Sequence, residues 1–171
     1  GMKDGREVAL GLNPFNPGDD INVNVLAWIR NVDFTYSNTL AALDRFFPDT
    51  TLTETVTDDP QVLDWELVTQ KVLLVPHIDP FGEPLPGQAF SGILTDFVRK
   101  GGLVVGLSNA VDLLSAAGLI QGTVARVDFF SGLPLKAVDP GHLLARGLVP
   151  PLLSQDGTFF YALDDPEAAV I

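Results

Sequence analysis

The sequence predicts an α/β domain built around a mainly parallel sheet, and three observations carry this prediction. Strand-like segments alternate along the chain with segments whose apolar residues recur at helical spacing. Two of the strand-like runs, "KVLLVP" (71–76) and "LVVGL" (103–107), are continuously apolar, as expected for strands covered on both faces. Pro and Gly stand where the helical patterns have to end. Strands that alternate with helices pair in parallel through right-handed crossovers.

The elements of the first half follow from local patterns. Residues 21–29 ("INVNVLAWI") alternate and then run apolar, which predicts a strand entering a buried sheet. Residues 34–47 have helical spacing, and Pro48 stops that helix. The Thr-rich segment 51–57 predicts a strand with one solvated face near a sheet edge. Residues 63–70 predict a short helix or a turn.

The second half begins with a helix through residues 87–102, which Gly101-Gly102 ends. The next predicted helix covers 109–119. Beyond it, "TVARVDFF" (123–130) and "TFFYAL" (158–163) predict further strands. We therefore expect a lead-in segment over residues 1–20 and a single domain over 21–171. Because the last residues, "DDPEAAVI", resemble the start of another strand, we also expect the domain to be excised from a longer protein.

Composition excludes several classes of function. Ten Lys and Arg residues against 22 Asp and Glu residues give a formal net charge of −12. Such a surface repels phosphate backbones and anionic lipid headgroups, so we expect no nucleic-acid partner. The apolar runs are too short for membrane insertion. The absence of cysteine excludes disulfides and thiolate chemistry but fits either a cytoplasmic or an exported protein. No Walker loop or G-x-G-x-x-G pattern is present, and we predict no cofactor.

Polar residues follow three predicted strands of the sheet at their carboxyl ends, where doubly wound sheets bind ligands. If the first, third and fourth strands are neighbours, these residues converge on one crevice. They form the predicted ligand-binding set, with Asn31 beside them: Arg30, Asp33, His77, Asp79, Ser108 and Asn109.

Ser108 has two competing interpretations. It stands between a strand and a helix in Gly106-Leu107-Ser108-Asn109-Ala110, which approximates the G-x-S-x-G elbow of serine hydrolases. The alternative is a structural N-cap, in which the hydroxyl accepts hydrogen bonds from the first N–H groups of the helix. No catalytic residue is assigned; Ser108, His77 and Asp79 are the candidates for a triad. His142, in "DPGHLLARGL", is interpreted as a loop residue that bonds local carbonyls. A metal site from His77, Asp79 and Glu83 lacks any compact motif, and we predict none.

The stretch "VVGLSNAVDLLSAAGLIQG" (104–122) resembles the nucleophile elbow of the class I glutamine amidotransferase-like superfamily, in particular its intracellular-protease-like branch. "GHLLARGL" is similar to a segment of trehalose-utilisation-like members, and the resemblance covers roughly residues 21–150. It implies a three-layer, flavodoxin-like sandwich. On this pattern Ser108 falls at the nucleophilic cysteine, Asn109 at the following histidine and Ala110 at a glycine.

The departures from that pattern bear on activity. The cysteine and its neighbouring histidine are replaced, and no His-x-Glu pair follows downstream. A serine also lacks the low pKa that activates a thiolate. We therefore predict a non-catalytic member that acts as a ligand-binding or protein-interaction module, for a small polar ligand such as a saccharide or for other domains of a longer polypeptide. The alternative is a serine hydrolase or acyl-transfer enzyme, with Ser108 as nucleophile, His77 as base and the backbone N–H groups of Asn109-Ala110 as oxyanion hole. A third possibility is purely structural.

Overall fold

A computed structural model describes residues 23–79, 87–120, 122–130, 134–135, 152–153 and 158–164. Strands and helices alternate from Val23 to Ala116. In chain order they are β1 (Val23–Trp28), α1 (Tyr36–Phe46), β2 (Thr50–Thr55), α2 (Pro60–Leu67), β3 (Val72–Val75), α3 (Gly87–Arg99), β4 (Leu103–Gly106) and α4 (Ala110–Ala116).

The first four strands form one parallel sheet in the order β2-β1-β3-β4. Val25 of β1 lies opposite Leu52 of β2 on one side and Val72 of β3 on the other. Val75 of β3 pairs with Gly106 of β4. The predicted fold class is therefore confirmed: the chain has an α/β, flavodoxin-like architecture with a mainly parallel sheet.

Helices cover both faces of this sheet and make three layers. One face packs α2, α3 and α4 against the sheet; its buried residues include Leu26, Trp28, Leu73 and Val75. The other face carries α1, with Tyr36 and Leu43 packed over Val25, Ala27 and Leu74. Alternate residues of one strand thus enter two different cores, which explains why the segment of β3 is a continuous apolar run.

Local chemistry sets the ends of the helices. Helix α2 begins three residues earlier than the predicted segment, because the Asp59 side chain accepts a hydrogen bond from the Gln61 N–H at 2.8 Å and Pro60 occupies the first helical turn. Helix α3 ends where the Gly102 N–H returns to the Phe97 carbonyl at 2.9 Å and Gly101 adopts a φ of +90°. The Thr-rich strand β2 lies at the edge of the described sheet, as predicted.

The described strands that follow α4 pair with one another in two small sheets separate from the parallel sheet. β5 (Thr123–Phe130) pairs antiparallel with β8 (Thr158–Asp164), and the register shifts between Arg126 and Asp128. β6 (Pro134–Leu135) and β7 (Leu152–Leu153) form a second short antiparallel pair. The strands predicted at 123–130 and 158–163 are therefore confirmed. The predicted lead-in, residues 1–20, lies outside the described residues.

Candidate functional site

The loops that follow β1, β3 and β4 meet at the carboxyl edge of the sheet. Val32 and Ile78 form an isolated antiparallel bridge. Beside it, the Asp79 N–H donates to the Asn31 carbonyl at 2.6 Å and the Asp33 N–H donates to the His77 carbonyl at 3.4 Å. The strand order β1-β3-β4 brings the third loop alongside. We call these three segments, residues 30–33, 77–79 and 107–109, the loop cluster.

Asn109 ties the loop after β4 to the loop after β3. Its Oδ1 accepts the Ile78 N–H at 2.9 Å, and its Nδ2 donates to the Ile78 carbonyl at 2.6 Å. The side chain thus replaces a strand partner for Ile78, and only 8% of Asn109 is exposed. This pair of bonds is a structural role that the sequence did not reveal, since Asn109 was expected to face a ligand.

Ser108 is held in a conformation that few residues other than glycine adopt. Its φ is +52°, in the left-handed region, which costs a residue with a Cβ about 1–2 kcal/mol. Its Oγ is buried and has no hydrogen-bond partner among the described residues. Retained strain together with an unsatisfied buried hydroxyl is a combination found preferentially at functional sites.

The N-cap interpretation of Ser108 is wrong. The N-cap of α4 is Asn109, whose side chain makes no capping bond because it binds Ile78 instead. Backbone carbonyls serve the first turn: the Ala110 N–H donates to Leu107 at 3.1 Å and the Val111 N–H to Ser108 at 3.3 Å. A capping side chain needs an extended backbone, which the left-handed φ of Ser108 does not provide.

Small residues, Gly106 and Ala110, stand two positions before and after Ser108, as a tight strand-to-helix elbow requires. A Cβ added at Gly106 would lie 2.6 Å from Leu114 Cδ1 and 3.5 Å from Ala110 Cβ. Strand β4 and helix α4 therefore approach each other as closely as a glycine allows. The sequence Gly106-x-Ser108-x-Ala110 has the local geometry of a nucleophile elbow, whatever chemistry Ser108 performs.

A double-mutant cycle tests this close approach. Gly106→Ala forces Leu114 out of its position and is expected to cost about 1–3 kcal/mol of folding free energy, as overpacking does. Leu114→Ala alone should cost about 2–5 kcal/mol. In the double variant the new methyl group occupies part of the vacated space, so urea unfolding should show a loss smaller than the sum by at least about 0.5 kcal/mol. Additive losses would mean that the two residues do not share this contact.

Two of the predicted ligand-binding residues are engaged in local structure. Arg30 Nη1 lies 2.6 Å from Asp58 Oδ2 in the loop before α2. Asp33 Oδ1 accepts the Thr35 N–H at 2.8 Å and the Thr35 hydroxyl, which orders the turn before α1. Arg30 and Asp33 therefore lie at the predicted edge of the sheet, but their side chains stabilise the local loops.

The triad candidates lie in adjoining loops of the loop cluster. His77 and Asp79 contribute backbone groups to the loop cluster. No imidazole among the described residues makes a hydrogen bond to Ser108 Oγ. His142 and Glu83 lie outside the described residues. Within the described part of the chain, no three His, Asp or Glu side chains are grouped closely enough to hold a metal ion.

Tyr36 is a described residue whose pKa lies well above its ordinary value. Burial raises the pKa of its phenol, and the hydrogen bond to Glu54 Oε1 at 2.7 Å, with the negative charge of that carboxylate, raises it further. Tyr36 therefore stays a neutral donor and joins α1 to the edge strand β2. Tyr36 lies on the face of the sheet that α1 covers, and its hydroxyl bonds to Glu54 rather than to Ser108.

A small pocket lies at the opposite, amino-terminal edge of the sheet, between α2 and α3. Its volume is about 220 Å³, with Leu67 and Phe97 as apolar wall and Asp64, Lys71 and Lys100 as charged rim. Val68, Gln70, Gly101 and Gly102 complete its lining. No sequence motif indicated this pocket.

No protein-family model matches the chain, and no curated protein or solved structure matches it either. Every helix in the described residues is too short or too polar to cross a lipid bilayer.

Proposed function

We propose that the chain is a non-catalytic domain of the amidotransferase-like type that serves as a binding module, with its ligand site at the loop cluster. The ligand is a small polar molecule, such as a saccharide, that can exchange hydrogen bonds with Ser108. The observation that carries this proposal is the state of Ser108: strained at φ +52°, buried, and without a partner for its hydroxyl among the described residues.

The free-energy cost of that state supports a role beyond packing. An unsatisfied buried hydroxyl costs about 1–3 kcal/mol, and the left-handed backbone adds a comparable amount. Alanine at this position would avoid the first cost, and glycine would avoid both. A ligand hydroxyl or carbonyl that bonds Oγ would recover the lost hydrogen bond, and the residues that bury Oγ would have to move to admit the ligand.

The hydrolase alternative is favoured by one observation, the elbow geometry around Ser108. Against it stands the lack of a hydrogen bond from any described imidazole to Oγ. A serine hydroxyl needs such a base to become a nucleophile at neutral pH. Catalytic hydrogen bonds can be long in a ligand-free enzyme, so the distinction requires a chemical test.

A fluorophosphonate probe and a thermal-shift panel of saccharides separate the two hypotheses. The binding module should not be labelled by the probe, and at least one saccharide should raise the Tm of the wild-type protein. Ser108→Ala should weaken that saccharide by no more than about tenfold, the value of one hydrogen bond. Labelling of wild type that disappears in Ser108→Ala would establish the hydrolase. Neither labelling nor any shift would leave Ser108 as a structural feature and would overturn both functions.

Ser108→Ala is also expected to stabilise the fold. The substitution removes the unsatisfied hydroxyl and keeps the backbone, so the free energy of unfolding should rise by about 1 kcal/mol. For a chain of this size that corresponds to a Tm higher by about 2–4 °C in differential scanning calorimetry. Ser37→Ala is the matched control: its hydroxyl donates to the Phe34 carbonyl at 3.2 Å, so its removal should be neutral or slightly destabilising. A Ser108→Ala protein that melts lower than wild type would mean that Oγ has a partner in solution.

A further inference from the structure

Helix α2 presents an apolar stripe to solvent instead of to the core. Val62, Trp65 and Val68 are 42%, 84% and 77% exposed. Leu63 and Leu67 are buried and mark the inward side of the helix. Trp65 lies two residues from each of them, about 160° around the helix axis, so it points directly away from the sheet. Spacings of three residues place the two valines on either flank of the indole. We call Val62, Trp65 and Val68 the α2 stripe.

The two tryptophans of the chain are used in opposite ways. Trp28 is 1% exposed, packs on Phe90 and donates its indole N–H to the Thr57 carbonyl at 2.8 Å. Trp65 contributes nothing comparable to the core. Single exposed apolar residues are ordinary on protein surfaces, but an exposed tryptophan flanked by two exposed valines on one helix face is not scattered. Tryptophan is also the residue type most enriched among interface hot spots.

The charge around the stripe indicates what it binds. Residues 46–70, which include all of α2, contain no Lys or Arg. The same segment carries these acidic residues: Asp49, Glu54, Asp58, Asp59, Asp64 and Glu66. Arg30 reaches in to neutralise Asp58, whereas one carboxylate oxygen of Glu66 is buried without a hydrogen-bond partner. Lys71 and Lys100 lie outside this segment and belong to the lining of the adjoining pocket.

That pocket extends the stripe. Asp64 and Val68 belong to its lining, and its volume of about 220 Å³ is walled by Leu67 and Phe97. A large side chain placed beside Trp65 can therefore enter a preformed depression. An aromatic anchor next to a pocket, with a charged rim, is the usual anatomy of the energetically important part of an interface.

We propose that the α2 stripe is the docking site for a basic, amphipathic segment of another polypeptide. Its apolar residues cover Trp65 and the two valines, one of them entering the pocket, and its Lys or Arg side chains face Asp59 and Asp64. A second copy of this chain does not fit, because two α2 helices would bring the same acidic segments together on molecules that each carry a net charge of −12. This proposal is independent of the ligand site at the loop cluster.

The test uses two fluorescein-labelled 18-residue peptides that both carry leucine at helical spacing. All remaining positions are lysine in one peptide (Lys/Leu) and glutamate in the other (Glu/Leu). Fluorescence anisotropy should show the Lys/Leu peptide binding the wild-type protein, with an affinity that falls as NaCl rises from 50 to 500 mM. The Glu/Leu peptide should not bind. Trp65→Ala should weaken the Lys/Leu peptide at least about thirtyfold, as loss of a hot spot does. Asp64→Lys should weaken it several-fold.

Phe34→Ala is the matched control, since Phe34 is 89% exposed and lies outside α2. It should leave the peptide affinity unchanged within about twofold. Because Trp65 is exposed, Trp65→Ala should fold as wild type does, and its Tm verifies this. The proposal is overturned if neither peptide binds, if both bind equally, or if Trp65→Ala and Phe34→Ala behave alike. Sedimentation showing a wild-type dimer that Trp65→Ala dissociates would assign the stripe to a second copy and also overturn it.

Discussion

Trp28→Ala is expected to lower the free energy of unfolding by about 3–5 kcal/mol, the range found for removal of a fully buried large aromatic side chain. Its indole ring packs edge-to-face on Phe90 with ring centroids 4.6 Å apart. The same substitution strips the Thr57 carbonyl of the indole N–H that it accepts at 2.8 Å. Strand β1 would then lose both its contact with α3 and its bond to the segment before α2. Urea unfolding followed by circular dichroism measures the loss.

Two further variants separate the contribution of ring packing from that of the hydrogen bond and from the effect of burial. Trp28→Phe keeps most of the ring and loses the hydrogen bond, so it should cost less than the alanine variant. Trp65→Ala makes the same chemical change at an exposed position and should alter stability by no more than about 0.5 kcal/mol. Equal losses for Trp28→Ala and Trp65→Ala would contradict the packing described here, since only the first residue contributes to the core.

The fold could be anticipated because the signals that specify it are local. The runs at 71–76 and 103–107 are apolar on both faces since each strand feeds two cores, and the structure places β3 and β4 there. Gly101-Gly102 marked the end of α3 correctly. The start of α2 was missed because its signal is a cap, Asp59 followed by Pro60, rather than an apolar period. A capping Asp followed by Pro is a recognised start signal in sequence, and it places the first residue of α2 at Pro60.

The site was anticipated only in its position. That the three loops would converge follows from topology, because the carboxyl ends of neighbouring parallel strands share one edge. What each side chain does there depends on backbone angles that no local pattern gives. Ser108 fits an N-cap by residue type, yet its left-handed φ of +52° is not the extended backbone of a capping residue, and Asn109 takes the N-cap position while its side chain binds Ile78. The sequence also did not predict that Trp65 is exposed. In a short helix of mixed polarity, the residue pattern does not show which face packs against the sheet and which faces solvent.

Asn109→Ala is expected to cost about 2–4 kcal/mol, because it leaves both the N–H and the carbonyl of Ile78 without their partner in a partly buried loop. The loss should also reach the proposed ligand site, since the Asn109 side chain joins the loop that holds Ser108 to the Ile78 loop. If a saccharide binds as proposed, its affinity should fall in this variant even where the protein remains folded. Thermal unfolding and the saccharide titration measure the two effects separately.

Asn109→Asp makes the same site dependent on pH. The introduced carboxyl still accepts the Ile78 N–H, but when ionised its second oxygen faces the Ile78 carbonyl, which is 2.6 Å from the present donor. Only the protonated carboxyl can donate there, so the fold raises the pKa of this group above the value of about 3.9 found in unfolded chains. The variant should be closest to wild type in stability below pH 4 and should lose stability, relative to wild type, as pH rises through the raised pKa. A difference in unfolding free energy that stays constant from pH 4 to pH 8 would show that Asn109 Nδ2 does not donate to Ile78, and the description of the loop cluster would have to change.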